Sequence, residues 1–189
     1  MGWWDRYILR RRVRVDGDRN EVHFGNGVRA RNLRISIRGS GNRVLIGART
    51  QIRGSISIKG DNHTVTIGEN GILRGVAILC REGCGVRIGN GILTSTEVII
   101  RTSDSHSIFD LATGERSNPA GPVIIGDQVW IARDVSIGKG VSIPSDCIIA
   151  ARSIVTKSFE EEHILIGGTP AKVLKTGVTW TKELRSDQS

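Results

Sequence analysis

From residue 125 on, one aliphatic side chain returns every six positions, at Ile125, Ile131, Ile137, Ile143, Ile149 and Val155. Four places after each comes a second, mostly compact series: Val129, Val135, Val141, Cys147, Ser153 and Phe159. A period of six excludes the two ordinary ways of hiding an apolar face, because a helix needs returns at three and four and a half-buried strand needs alternation. It fits a solenoid in which each hexapeptide forms one short strand and a bend, three hexapeptides close a triangular coil, and coils stack by parallel pairing. The aliphatic residue then fills the prism. The small residue that follows it, at Gly126, Ala132, Gly138, Pro144, Ala150 and Thr156, lets the chain turn.

Upstream the period lengthens. The pair Ile-Gly recurs at Ile46-Gly47, Ile67-Gly68 and Ile88-Gly89, 21 residues apart, which is one 18-residue coil plus three. Glycine-rich corners at 39–42, 60–62 and 83–85 absorb the extra residues, and Phe24-Gly25 marks an earlier, irregular coil. This predicts an all-β parallel solenoid over residues 20–160, a basic and aromatic cap over 1–19, and a hairpin with a short helix over 161–189. That helix would cap the last coil, whose strand edges need cover. From Ile88 to Ile125 the spacing is 37, sixteen more than one coil, so a loop of about residues 102–122 leaves the prism. Long loops in compact domains usually carry function.

The 189 residues suffice for one core. The formal charge of +8 is local: residues 1–60 carry fourteen Lys or Arg against four Asp or Glu. Such a segment attracts polyanions, whether nucleic acid, anionic lipid or acidic polysaccharide, and composition does not rank them; no specific nucleic-acid partner is expected. Trp3, Trp4, Tyr7 and Ile8 beside Arg10 to Arg12 suit either a peripheral membrane contact or an aromatic cap on the first coil. No stretch is long and apolar enough for a membrane span. The three cysteines, Cys80, Cys84 and Cys147, form no disulfide framework, so a reducing, cytoplasmic setting is expected, at the inner face of the membrane if the basic end binds lipid.

The stretch 124–175, with VWIA at 129–132, AARSIVTK at 150–157 and GGTPAKVLK at 167–175, resembles the C-terminal half of hexapeptide-repeat acetyltransferases. Within them, SDSHSIFD at 103–110 and NPA at 118–120 are similar to the capsular-polysaccharide and sialic-acid O-acetyltransferases. The resemblance implies a left-handed parallel β-helix, a homotrimer with active sites between adjacent subunits, acetyl-CoA as co-substrate and a glycan or sugar hydroxyl as acceptor. Handedness comes from the resemblance alone.

His106 is the one histidine in the extruded loop, flanked by Asp104, Ser105, Ser107 and Asp110. With an unperturbed pKa of about 6.5, an imidazole can take the proton of an attacking hydroxyl at neutral pH and return it to the leaving thiolate. Asp104 or Asp110 is placed to fix its tautomer, Asp104 being preferred. Trp130 is an anomaly in a repeat of small and aliphatic residues, and the resemblance gives it a share of the active site. The pantetheine arm of coenzyme A needs flat surface, from Ala132 and Ala151, while phosphates need cations, from Lys157, Lys172 and Lys175, with Thr156 for a hydrogen bond. Arg133 is counted with these cofactor-binding residues; the sequence departs from the family pattern at Ala132, where VWIG is common, and at AARS, where GAGS is usual, and Arg133 and Arg152 add bulk and charge there.

Three other readings compete. A sugar amine is the nearest alternative acceptor. A solenoid scaffold would bind polyanions through its arginines without catalysis. A zinc enzyme of the same fold needs clustered histidines, whereas His23, His63 and His163 are far apart in the repeat, and Cys80 and Cys84 lack two further ligands; no metal is expected.

Overall fold

The computed structural model describes residues 13–184. It is a parallel solenoid of triangular coils. On the first face the strands Glu21–Phe24, Arg43–Ile46, Thr64–Ile67, Val86–Ile88, Val123–Ile125 and Ser142–Ile143 stack in parallel. On the second face the outward column Gln51, Ile72, Leu93, Trp130, Ile148 and Leu165 runs in register from coil to coil. The third face carries Val13–Asp16, Leu33–Arg38, Val98–Arg101, Ser136–Ile137 and Ile154–Val155.

The six-residue series reads out as the prism interior. Ile125, Ile131, Ile137, Ile143, Ile149 and Val155 are all buried, and so are Val129, Val135, Val141, Cys147 and Ser153 of the second series; Phe159 packs at its edge. The turn itself falls elsewhere than expected. The left-handed conformation recurs at Gln128, Asp134, Gly140, Asp146 and Arg152, every six residues and each just before an inward side chain. The small residues two places earlier serve coil stacking instead: a Cβ on Gly126 would meet the Ser145 amide nitrogen at 2.5 Å. Burial also silences the inner thiols, the Cys80 pKa being pushed up to about 12 by loss of water, against the pull of the Arg81 charge.

Two upstream coils depart from one strand per face. Gln51–Lys59 and Ile72–Arg81 each run round a corner as a single bent strand, with a register shift between Ile52 and Gly54. Gly54 takes φ +126, and a Cβ there would lie 2.0 Å from the Val76 carbonyl oxygen, so only glycine fits the bend. The extra residues of the 21-residue coils sit at the corner between the third and first faces. There the buried Asn42 side chain donates to the Gly60 carbonyl (3.0 Å) and accepts from the His63 amide (2.9 Å).

Both ends differ from expectation. Val13–Asp16 pairs in parallel with residues 35–38, so coil pairing begins before residue 20, inside the segment expected as a cap. The aromatic and basic residues expected there to meet a membrane, Trp3 to Arg12, lie outside the described residues. At the other end the hairpin is present, Leu165–Gly168 pairing antiparallel with Ala171–Lys175. The helix is not: among the described residues 176–184 run as an irregular strap back down the prism. Gly177 in the left-handed region and the β-branched run Val178-Thr179 disfavour a helix. Tertiary bonds hold the strap instead, from the Val178 amide to the His163 carbonyl (2.9 Å), Trp180 Nε1 to the Gln128 carbonyl (2.7 Å) and Lys182 Nζ to the Asn70 carbonyl (3.4 Å). Among the described residues there is no helix long and apolar enough to cross a membrane.

Ile78 is fully buried at mid-prism. Ile78→Ala is expected to cost about 2–5 kcal/mol in urea unfolding, while Arg38→Ala on the exposed third face should stay within roughly 0.5 kcal/mol.

Candidate active site

Residues 102–122 leave the corner between the third and first faces. A helix or strand would satisfy its own backbone, but this loop is held by side chains. Asn118, almost buried, is the hub. Its Oδ1 accepts from the Ile108 amide (2.7 Å), and its Nδ2 donates to the His106 carbonyl (2.9 Å) and to Asp104 Oδ2 (2.9 Å). Lys139, from the same corner one coil on, donates its ammonium to Asp104 and to the Asn118 carbonyl (2.9 Å). On the other side Arg116 grips Glu82 through both guanidinium nitrogens, and Ser103 donates to the same carboxylate. The tip is an antiparallel excursion through the Phe109–Arg116 bridge, closed by Asp110, which accepts from the amides of Ala112 (2.9 Å) and Thr113 (2.8 Å).

Charge follows this geometry. Arg116 and Ser103 hold the Glu82 carboxyl down at about 2. Lys139 and then Asn118 hold Asp104 below its ordinary range, and the Thr113 and Ala112 amides do the same for Asp110. All three are therefore fixed anions at neutral pH. His106 stands exposed among them, and its imidazole has no hydrogen-bond partner among the described residues. Asp104 Oδ2 accepts from both Lys139 and Asn118 and so braces the loop, and no hydrogen bond joins Asp104 to the imidazole among the described residues. Arg101, the last strand residue before the loop, has its Nε buried with no partner among the described residues.

Trp130 lies on the second face, 37% exposed, with Trp180 of the strap tilted against it at 6.1 Å between ring centroids. In a triangular coil the corner that releases the His106 loop is opposite this face, and no contact joins His106 to Trp130 among the described residues. The expected cofactor residues divide in the same way. Ala132 follows Trp130 at the edge of the second face, and the same position on later coils is Ala150 and then Gly167, through the bonds from Ala132 N to Ile149 O (2.9 Å) and from Ala150 N to Ile166 O (2.8 Å). Arg133 and Ala151 turn the next corner, where Arg133 meets Glu97 at 3.6 Å. Lys172 pairs with Gly167 at the end of this small-residue column, and Lys175 pairs with Leu165. Thr156 and Lys157 instead sit at the loop's corner, one coil beyond Gly138 and Lys139.

Sequence reasoning missed Asn118, Glu82, Arg116, Lys139 and Ala150. The signal for Asn118 was present in the NPA tripeptide; the others are ordinary surface types, and only the coil register makes them neighbours.

The relatives that are similar to this chain include two polysialic acid O-acetyltransferases. The polysialic acid O-acetyltransferase of Escherichia coli O1:K1 / APEC is 35% identical over 151 residues, covering 78% of this chain and 42% of that protein. The polysialic acid O-acetyltransferase of Neisseria meningitidis is 30% identical over 170 residues, covering 90% of this chain and 79% of that protein. This chain belongs to the hexapeptide-repeat acetyltransferase family. The crystal structure of the polysialic acid O-acetyltransferase OatWY matches with a TM-score of 0.79 at 27% identity over 93% of each chain. That of the polySia specific acetyltransferase NeuO matches with a TM-score of 0.73 at 30% identity, over 94% of this chain and 90% of that one. The solenoid is thus the left-handed β-helix of hexapeptide-repeat acetyltransferases, as the resemblance implied. No protein-family model matches the chain.

The Glu82 anchor gives the His106 loop an acid limit. A carboxylate held below its ordinary value of 4.5 contributes fully above that value and is lost as pH falls through about 2. Pepsin cleavage at the exposed Phe109 and Leu111 should therefore accelerate in the wild type as pH drops from 4.5 toward 2, while Glu82→Gln should already be cut fast at pH 4.5. Equal cleavage profiles would remove Glu82 as the anchor.

Proposed function

We propose that this hexapeptide-repeat acetyltransferase moves the acetyl group of acetyl-CoA to a sugar hydroxyl of a surface polysaccharide or its precursor, with His106 as general base. The observation that carries this reading is an exposed imidazole, with no partner among the described residues, on a loop pinned by Glu82–Arg116 on one side and Lys139–Asp104–Asn118 on the other. Pinning fixes where the base stands, and an unpaired ring is available to a substrate proton. The relatives named above, polysialic acid O-acetyltransferases, support the acceptor class.

In the transfer His106 accepts the proton of the acceptor hydroxyl as that oxygen attacks the thioester carbonyl. The carbon–sulfur bond breaks, and the imidazolium returns its proton to the coenzyme A thiolate. No acyl-enzyme is needed. The column Ala132–Ala150–Gly167 offers a flat track for the pantetheine arm, and Lys172 at its end suits a phosphate. Trp130 borders that track.

His106 and Lys157 lie at one corner, Trp130 and the small-residue column on the face opposite. A site containing both sets needs two chains, which favours a homotrimer whose adjacent subunits each supply one half. The loop tip supports this, since Ile108, Phe109 and Leu111 are 59%, 59% and 103% exposed and leave an apolar edge for a neighbouring chain to cover.

The direct test is thiol release from acetyl-CoA against a panel of neutral and sialylated glycans. His106→Ala should lose about 10²- to 10⁴-fold in turnover while still binding coenzyme A, and mixing it with Trp130→Ala subunits should restore part of the activity. A wild type that binds no acetyl-CoA and releases no thiol with any acceptor would leave only the polyanion-binding scaffold.

A further inference from the structure

The first three coils carry a cleft of ≈ 450 Å³ at the edge of the second face, walled by Arg29, Arg31, Arg53 and Arg74 over a floor of Gln51 and Ile72. Register explains the wall. Arg29 bridges Gln51, and Gln51 pairs with Ile72, so the residues two places on, Arg31, Arg53 and Arg74, stack at one corner on successive coils. Parallel strands repeat at about 4.8 Å, so the three backbone segments that carry these guanidinium groups follow the pitch of the solenoid, with Arg53 at the register shift between Ile52 and Gly54.

These charges are not spent internally. Some arginines elsewhere on the described surface are paired, Arg43 with Glu21, Arg49 with Glu69 and Arg133 with Glu97, while Arg34, Arg38 and Arg87 stand singly on other faces. The four cleft arginines are exposed, and their side chains make no hydrogen bond or ion pair among the described residues. Like charges at this spacing repel one another, and an anionic ligand relieves that repulsion.

The cleft also points somewhere. Along the corner, the positions after Arg74 are Ser95, Ala132 and Ala150, so the arginine wall gives way to the small-residue track. Along the face, the floor runs Gln51, Ile72, Leu93, Trp130. Trp130 is thus two coil steps, about 10 Å, beyond Ile72 on one continuous surface.

Resting on the acetyl-transfer reading, we infer that this arginine cleft is the acceptor subsite for a carboxylated polysaccharide, gripping sugars several residues away from the one that is acetylated. A polymer with one carboxylate per sugar presents anions at regular intervals to cations at regular intervals, and guanidinium forks bind carboxylates in two-point fashion. Nucleic acid fits less well, since none of the residues lining the cleft is aromatic and able to stack a base. A flat membrane does not enter a concave site.

The experiment compares wild type with Arg31→Ser/Arg53→Ser/Arg74→Ser and with a charge-matched control, Arg34→Ser/Arg38→Ser/Arg87→Ser, on other faces. Labelled sialic-acid octamer binding is measured by anisotropy, and KM is measured for octamer, for sialic-acid monomer and for acetyl-CoA. The cleft variant should lose roughly 10- to 100-fold in octamer affinity and KM, three exposed charge contacts each being modest. The monomer and acetyl-CoA constants should be unchanged, since one sugar cannot span from Trp130 to the arginines. An equal loss in the control variant, an equal rise in monomer KM, or tighter binding of anionic vesicles or duplex DNA than of octamer at 0.15 M salt would overturn the subsite. Absent thiol release by wild type defeats the acetyl-transfer reading, while the anisotropy titration still decides the cleft.

Discussion

Every functional feature of this chain depends on the stacking of parallel coils over a dry interior of isoleucine and valine. Each inward side chain sits on its equivalent one coil below, so removing one weakens contacts in two directions. The same stacking fixes the outside. An outward residue is placed over the residue that pairs with it on the neighbouring coil, and chemistry distributed along the sequence is collected into columns. The arginine wall, the small-residue track and the Trp130 column are three such products of one register.

The His106 loop obeys a different rule. It lies outside the prism and buries little apolar surface, so its order comes from a polar network centred on Asn118. That network uses fixed charges, with Glu82 and Asp104 both held as anions by cationic partners. His106 on such a scaffold keeps its place although its ring has no hydrogen bond among the described residues, which suits the proposed role as base. The strap 176–184 adds the other half of the arrangement by packing Trp180 against Trp130 and tying three coils together.

The His106 loop and the small-residue column lie on opposite sides of one prism for a structural reason. A triangular coil offers three faces and three corners, and a long insertion disturbs stacking least at a corner where the chain already turns. Coils with extra residues at that corner, at 39–42 and 60–63, show that it tolerates length. The track needs the reverse, an uninterrupted run of small residues. Neighbouring chains in a trimer would bring the two surfaces together.

The six-residue period by itself determined the solenoid, the residues of its interior and the existence and limits of the 102–122 excursion, because no other regular structure buries that pattern. His106 was legible as the histidine outside the repeat, and Trp130 as the indole inside it. The sequence misplaced the turn, assigning it to the small residues when the left-handed position falls at Gln128, Asp134, Gly140, Asp146 and Arg152. It also gave a helix to the C-terminal end. Those matters, with the convergence of Arg31, Arg53 and Arg74 and the separation of His106 from Trp130, were decided only in the tertiary structure. Their physical reason is common: each depends on which residues of different coils face one another, and register across 18 to 37 residues is set by corner lengths and backbone bends that side-chain identity alone does not specify.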